Sequence, residues 1–147
     1  MILYADTSAV VKAILLETGS EQVDDWFAQA DQVASSVITY AEACAALGRN
    51  DRRRGPDHDA LRAQLAALDT QWDEFLVLPV AGRAAGRAAL AHGLRGMDAV
   101  QLSAAVTLRA AATAHAPDAE VVFATFDRRL LEAAAREGLA TLGGPLV

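Results

Sequence analysis

The stretch Ile2-Leu3-Tyr4-Ala5-Asp6-Thr7-Ser8-Ala9-Val10-Val11-Lys12-Ala13-Ile14-Leu15 decides the fold. Residues 2–5 form a short apolar run with one aromatic, which reads as a buried strand. The run breaks at Asp6-Thr7-Ser8. From residue 8 to 17, Val10, Val11, Ile14 and Leu15 recur at helical spacing, with Thr7 or Ser8 as the expected cap and Gly19 as the stop. A strand that ends on an acid and turns directly into a helix is the opening of a parallel β-α-β unit.

The same alternation continues outward from this stretch. Helix is expected over 21–30, strand over 33–37, and helix over 40–50 and 57–73, divided by Gly55-Pro56. Strand follows over 76–78, closed by Pro79, then helix over 80–92 and 98–112, strand over 121–125, helix over 128–137 ended by Gly138, and a short strand over 140–142. Continuously apolar strands alternating with helices imply a parallel sheet covered on both faces, an α/β three-layer architecture. Ligands of such sheets bind beyond the carboxyl ends of the strands, where the strand order reverses. Acids at strand ends therefore come first.

Composition sets the limits. A chain of 147 residues with 53% hydrophobic and 22% charged residues supports one domain with a sizeable core, and no linker or repeat divides it. No segment approaches the ~20 apolar residues of a membrane span. The beginning of the chain lacks the charge and apolar run of a secretory signal, and one cysteine, Cys44, cannot form an internal disulfide, so a cytoplasmic protein is expected. Cys44 reads as a small buried filler. The net charge of −6 runs against nucleic-acid binding, unless several acids serve a metal site, where divalent ions would offset most of it. Arg49, Arg52, Arg53 and Arg54 cluster, either as a solvated helix end or as a phosphate- or partner-contacting patch.

Four carboxylates carry the chemistry. Asp6 follows the first strand and Asp127 follows the fourth, so adjacent strands would open both into one crevice; each also suits a helix N-cap. Glu42 sits in the apolar helix Ile38-Thr39-Tyr40-Ala41-Glu42-Ala43-Cys44-Ala45-Ala46-Leu47, where a carboxylate must face solvent or find a partner. Asp98 opens the apolar run ending at Val106, with a cap again open as a reading. Converging carboxylates repel and raise one another's pKa unless a cation neutralises them. Mg²⁺ and Mn²⁺ favour such oxygen ligands, and the combination suits phosphodiester cleavage without a further general base. His58, His92 and His115 show no metal-ligand spacing, and His58 reads as a solvated helix start.

Four stretches carry a resemblance: Tyr4-Ala5-Asp6-Thr7-Ser8-Ala9-Val10-Val11-Lys12, Ser35-Ser36-Val37-Ile38-Thr39-Tyr40-Ala41-Glu42, Leu94-Arg95-Gly96-Met97-Asp98-Ala99-Val100-Gln101-Leu102, and Phe123-Ala124-Thr125-Phe126-Asp127-Arg128-Arg129-Leu130. In this order and spacing the chain resembles the PIN-domain nucleases, and most closely the VapC-type toxins of toxin–antitoxin pairs. The resemblance implies a single PIN domain over 1–147, a five-strand sheet of order 3-2-1-4-5, and an acidic quartet of Asp6, Glu42, Asp98 and Asp127, with Asp127 the most variable metal ligand. It implies that Thr125 and Ser8 are the hydroxyl residues beside the last and first acids. It further implies dependence on Mg²⁺ or Mn²⁺, endonucleolytic cleavage of RNA, a homodimer, and a small antitoxin that inserts a C-terminal segment near the site.

Other readings are separable. A receiver-type phosphoacceptor would need a late lysine, and the one lysine is Lys12; a haloacid-dehalogenase-type phosphatase would need an acid where Ser8 stands. A housekeeping RNA-processing nuclease, and a non-enzymatic binding module whose acids are helix caps, stay open. Single-stranded RNA loops fit a narrow acidic crevice better than duplex. An antitoxin is expected to present an arginine to that crevice and to grip apolar residues around Val11, Ile14, Leu15, Trp26 and Phe27.

Overall fold

Strand β1 (Ile2–Ala5) lies at the centre of the molecule, with Leu3, Tyr4 and Ala5 inaccessible to solvent. In the computed structural model, which describes residues 1–145, it pairs in parallel with β2 (Gln32–Ser36) on one side and with β4 (Val121–Thr125) on the other. The edges are β3 (Leu76–Leu78) and β5 (Ala140–Gly143), so the sheet runs β3-β2-β1-β4-β5, parallel throughout. This is the expected order. The chain builds outward through β2 and β3, then returns to β4 beside β1. The reversal therefore falls between the carboxyl ends of β1 and β4, where Asp6 and Asp127 stand.

Strand pleating sends alternate residues to opposite faces. Leu3, Ala5, Val122 and Ala124 enter a core with α1 (Thr7–Leu15), α2 (Ser20–Gln29), α3 (Ile38–Arg54) and α4 (His58–Trp72). Tyr4, Val121 and Phe123 enter a second core with α6 (Gly96–His115) and α7 (Arg128–Arg136), while α5 (Gly82–His92) packs on α6. The three-layer α/β/α architecture follows from that alternation.

Several local expectations need correction. The cap of α1 is Asp6, with extended backbone and a side chain that accepts from Ala9 N; the Thr7 and Ser8 hydroxyls are committed to carboxylates. Leu16, in the left-handed region, ends α1 before Gly19, which instead precedes α2. α6 begins two residues earlier than expected, so Asp98 lies in its first turn and is not its cap. β2 is not continuously apolar: Ser35 and Ser36 are buried in it, and Ser35 donates within reach of Ala5 O and Thr39 Oγ1. β3 is an incompletely covered edge, with Leu76 and Val77 exposed. Cys44 is only partly buried. Neither Trp26 nor Phe27 faces outward. Trp26 is buried and stacks on Phe126, and Phe27, partly buried, meets Phe75 edge-on, so both aromatics of the anticipated partner grip pack against the core. Ile14 is buried as well; the exposed apolar residue of this region is Leu16. Arg52, Arg53 and Arg54 form the last turn of α3, where cations complement the helix dipole. Among the described residues no helix is long and apolar enough to cross a membrane.

Candidate active site

Asp6 leaves β1 with 5% of its surface exposed. Its Oδ1 accepts from Ser8 Oγ at 2.6 Å and from Ala9 N at 3.0 Å, and its Oδ2 accepts from Thr125 Oγ1 at 2.7 Å. The same two hydroxyls accept backbone N–H groups from the turn after β4: Phe126 N reaches Ser8 Oγ at 2.8 Å and Asp127 N reaches Thr125 Oγ1 at 3.0 Å. Ser8 and Thr125 thus tie the carboxyl ends of β1 and β4 together around Asp6. Burial lifts the Asp6 carboxyl from 3.8 to about 6, against the lowering effect of the Ser8, Thr125 and Ala9 hydrogen bonds. Desolvation is the leading cause, where the sequence had pointed to repulsion between acids. Asp127 caps α7 through Oδ1, which accepts from Leu130 N at 3.0 Å. The capping and crevice readings of Asp6 and Asp127 are therefore compatible. Gly143 permits this crossing point: a Cβ there would lie 2.1 Å from Thr125 O.

Glu42 lies one turn into α3 and is half-buried. Its Oε2 accepts from Thr7 Oγ1 at 2.5 Å and lies 3.3 Å from Gln101 Nε2. Asp98 pairs through Oδ2 with Arg95 Nε at 3.1 Å. The Asp98 hydrogen bond and charge raise the Arg95 guanidinium above its ordinary value, and the charges of Asp127 and Glu42 act in the same direction. One residue therefore feels three of the four acids.

All four line a single cleft of about 380 Å³, together with Thr7, Ser8, Lys12, Arg49 and Gln101. They come from β1, α3, α6 and the β4–α7 turn, so the fold brings together residues that are 121 positions apart in the chain (6 to 127). A larger groove, of about 720 Å³, lies at the amino ends of the strands between α2 and β5; Glu21, Asp25 and Glu120 rim it without a lysine or arginine.

Whether this cleft suits a divalent cation is decided by its donors. Among the described residues no three acidic, histidine or cysteine side chains stand close enough to form a ready-made cation cage. The reason is visible in the hydrogen bonds: each acid has an oxygen engaged with a hydroxyl, an amide or Arg95. Yet Glu42 Oε1, Asp98 Oδ1 and Asp127 Oδ2 receive no hydrogen bond among the described residues. Hard, unpaired carboxylate oxygens on residues that line one cleft match what Mg²⁺ and Mn²⁺ take, and Mg²⁺ completes its shell with waters. The donor set fits, with side-chain adjustment on binding.

Several lining residues escape sequence reasoning. Gln101 is 3% exposed and joins Tyr4, Thr7, Thr39 and Glu42. Its signal was a polar amide within an apolar helix, one turn after Asp98. Lys12 Nζ is held by Glu17 Oε1 at 2.9 Å and Thr18 O at 3.0 Å, 4.9 Å over the Phe126 ring. Arg49 belongs to the run with Arg52, Arg53 and Arg54, and it alone of that run lines the cleft.

Comparison with known proteins bears on the family and the fold. The model of the PIN domain family matches residues 3–136. Ribonuclease VapC49 of Mycobacterium tuberculosis is 35% identical over 136 residues, covering 88% of this chain and 86% of the relative. Among solved structures, PAE2754 from Pyrobaculum aerophilum superposes with a TM-score of 0.66 at 21% identity, over 96% of this chain and 89% of that one. A toxin–antitoxin complex from Klebsiella pneumoniae gives 0.58 at 16% identity, over 86% and 87%.

Proposed function

The chain belongs to the PIN-domain family, and on that premise we propose that it is the toxin of a toxin–antitoxin pair: a VapC-type endoribonuclease that hydrolyses RNA phosphodiester bonds in the cleft of Asp6, Glu42, Asp98 and Asp127. One observation carries the assignment of the cleft. Four acids from four separate elements line it at the carboxyl end of a parallel sheet, in a chain 35% identical to a ribonuclease over most of its length.

We propose Mg²⁺ or Mn²⁺ as the cofactor, held by the free oxygens of Glu42, Asp98 and Asp127 and by Asp6. Bound there, the cation would supply charge neutralisation at the phosphate and a more acidic water. The chain's own residues do the rest. Ser8 and Thr125 donate to Asp6 and keep both of its oxygens turned to a fixed direction, acting on the site through Asp6. Arg49 at the rim offers the phosphate backbone a positive charge beside the acids. The narrow cleft favours single-stranded RNA.

The remaining readings complete the proposal: a single PIN domain over 1–147, a cytoplasmic homodimer, and a small antitoxin whose arginine competes for the acidic cleft. The test uses purified protein and a panel of single-stranded RNAs. Cleavage should require Mg²⁺ or Mn²⁺, stop in EDTA and be lost in Glu42→Gln with the fold intact. Metal-independent cleavage, or full activity of that variant, would remove the proposal. Co-expression with the product of the adjacent small reading frame should suppress cleavage; its absence would favour RNA processing over the toxin role.

A further inference from the structure

We propose that Gln101 is a positioning residue for Glu42: its side-chain amide, oriented by the Tyr4 hydroxyl, fixes Oε2 of Glu42 and leaves Oε1 to the cleft. The inference rests on the cation site proposed above and concerns how the protein builds it.

The argument starts in the core. Tyr4 is inaccessible to solvent and stacked on Phe123 at 5.3 Å between ring centroids. Its phenolic hydroxyl carries a hydrogen to donate. It donates to Gln101 Oε1 at 2.7 Å. That bond decides which way the amide points, because the reversed amide would turn its carbonyl oxygen toward the Glu42 carboxylate. With Oε1 on Tyr4, Nε2 faces three acceptors: Thr39 Oγ1 at 2.9 Å, Thr7 Oγ1 at 3.1 Å and Glu42 Oε2 at 3.3 Å. An amide nitrogen has two hydrogens for these three. Either choice that includes Thr39 ends on Glu42. The second hydrogen goes directly to Oε2, or to Thr7, whose own proton goes to Oε2 at 2.5 Å.

A buried amide needs partners in any core, so a structural role alone must be tested against this one. The two separate by what they change. Outer partners of metal ligands affect cation affinity by about 10- to 100-fold when removed, whereas a structural bond affects melting. Mn²⁺ titrations by calorimetry, without RNA, on the full chain therefore decide the matter, with melting temperatures recorded in EDTA. Gln101→Met, which keeps the volume and removes the amide, should weaken Mn²⁺ binding at least tenfold. Tyr4→Phe should weaken it by a smaller factor. Thr39→Val, which removes the acceptor farthest from the cleft, should lower the melting temperature without weakening Mn²⁺. If Gln101→Met does not fold, Tyr4→Phe carries the decision, and unchanged affinity in that variant overturns the proposal. It is equally overturned if Mn²⁺ affinity falls in Thr39→Val as much as in Gln101→Met. Glu42→Gln separates the two levels. Weakened binding there, with normal binding in Gln101→Met, removes the positioning role alone; normal binding in Glu42→Gln removes the cation site and this inference with it.

Discussion

Asp6→Asn offers a measurement in which sign and size both follow from the structure. The Asp6 carboxyl titrates at about 6 in the fold against 3.8 for the ordinary group, because burial disfavours its charge. The folded state therefore holds this proton more tightly than the unfolded chain. Its contribution to stability is fully present below the unfolded value and is lost as pH rises through the folded one. A gap of about two pKa units corresponds to about 3 kcal/mol. Asparagine never ionises, so it escapes this cost above pH 6. It introduces another: its amide must replace Oδ2, and the Thr125 hydroxyl that now donates there has to reverse, at about 1 kcal/mol. The expected balance in EDTA is a gain of about 2 kcal/mol at pH 8 and a loss of about 1 kcal/mol at pH 3, below both values. At 2–4 °C per kcal/mol for a domain near this size, the two melting curves cross between those pH values. Thermal melts of both proteins across that range, without metal, give the difference directly. Addition of Mg²⁺ at pH 8 should then raise the melting temperature of the wild type and not of the variant. A pH-independent offset between the two proteins would refute the reasoning, since it would mean that burial does not hold back the Asp6 charge.

Gly143→Ala should destabilise by more than about 2 kcal/mol, because φ is 101° and the new methyl would lie 2.1 Å from Thr125 O; chemical denaturation measures it, and a loss under 0.5 kcal/mol would contradict the close approach. Arg95→Ala removes an exposed partner of Asp98, so stability should change by less than about 1 kcal/mol while the Mg²⁺-induced melting shift begins at lower Mg²⁺; an unchanged or later onset would mean that Arg95 does not compete for Asp98. Arg49→Ala should weaken binding of single-stranded RNA uniformly across sequences and lower the slope of log affinity on log salt by about 0.7, as one lost phosphate contact does; an unchanged slope would place Arg49 outside the RNA path.

The sheet was legible because its strands, β2 with its buried serines apart, are short apolar runs bounded by acids, prolines and glycines. Strands 76–78 and 121–125 have the expected boundaries. Helix ends were harder. They depend on which side chain wins a backbone donor, and at α1 three successive capping residues compete, of which Asp6 wins over Thr7 and Ser8. The four acids were legible by position and by resemblance, but their partners were not. Nothing in the order of residues says that Thr7 donates to Glu42 or that Thr125 reaches Asp6 across 119 positions; those bonds exist because β1, β4, α3 and α6 meet at one end of the sheet. Trp26 and Phe27 misled for the same reason. Adjacent aromatics suggest an outward face until α2 is seen packed under Phe75 and Phe126, with Trp26 buried and Phe27 partly buried against the core.

The charge of the molecule sharpens what the cleft must do. A net charge of −6 and four acids in one crevice oppose the approach of a phosphate backbone. Three cations border the acids, but two are already committed: Lys12 to Glu17 and the Thr18 carbonyl, and Arg95 to Asp98. Arg49 makes no ion pair among the described residues, and one guanidinium cannot offset four carboxylates. The crevice as built is therefore a place for a cation before it is a place for RNA, and an arginine from a partner protein would meet the same field. Substrate access and neutralisation by a partner then draw on one feature, the unpaired oxygens of Glu42, Asp98 and Asp127. That makes the hydroxyl and amide groups holding the other oxygens as consequential as the acids themselves.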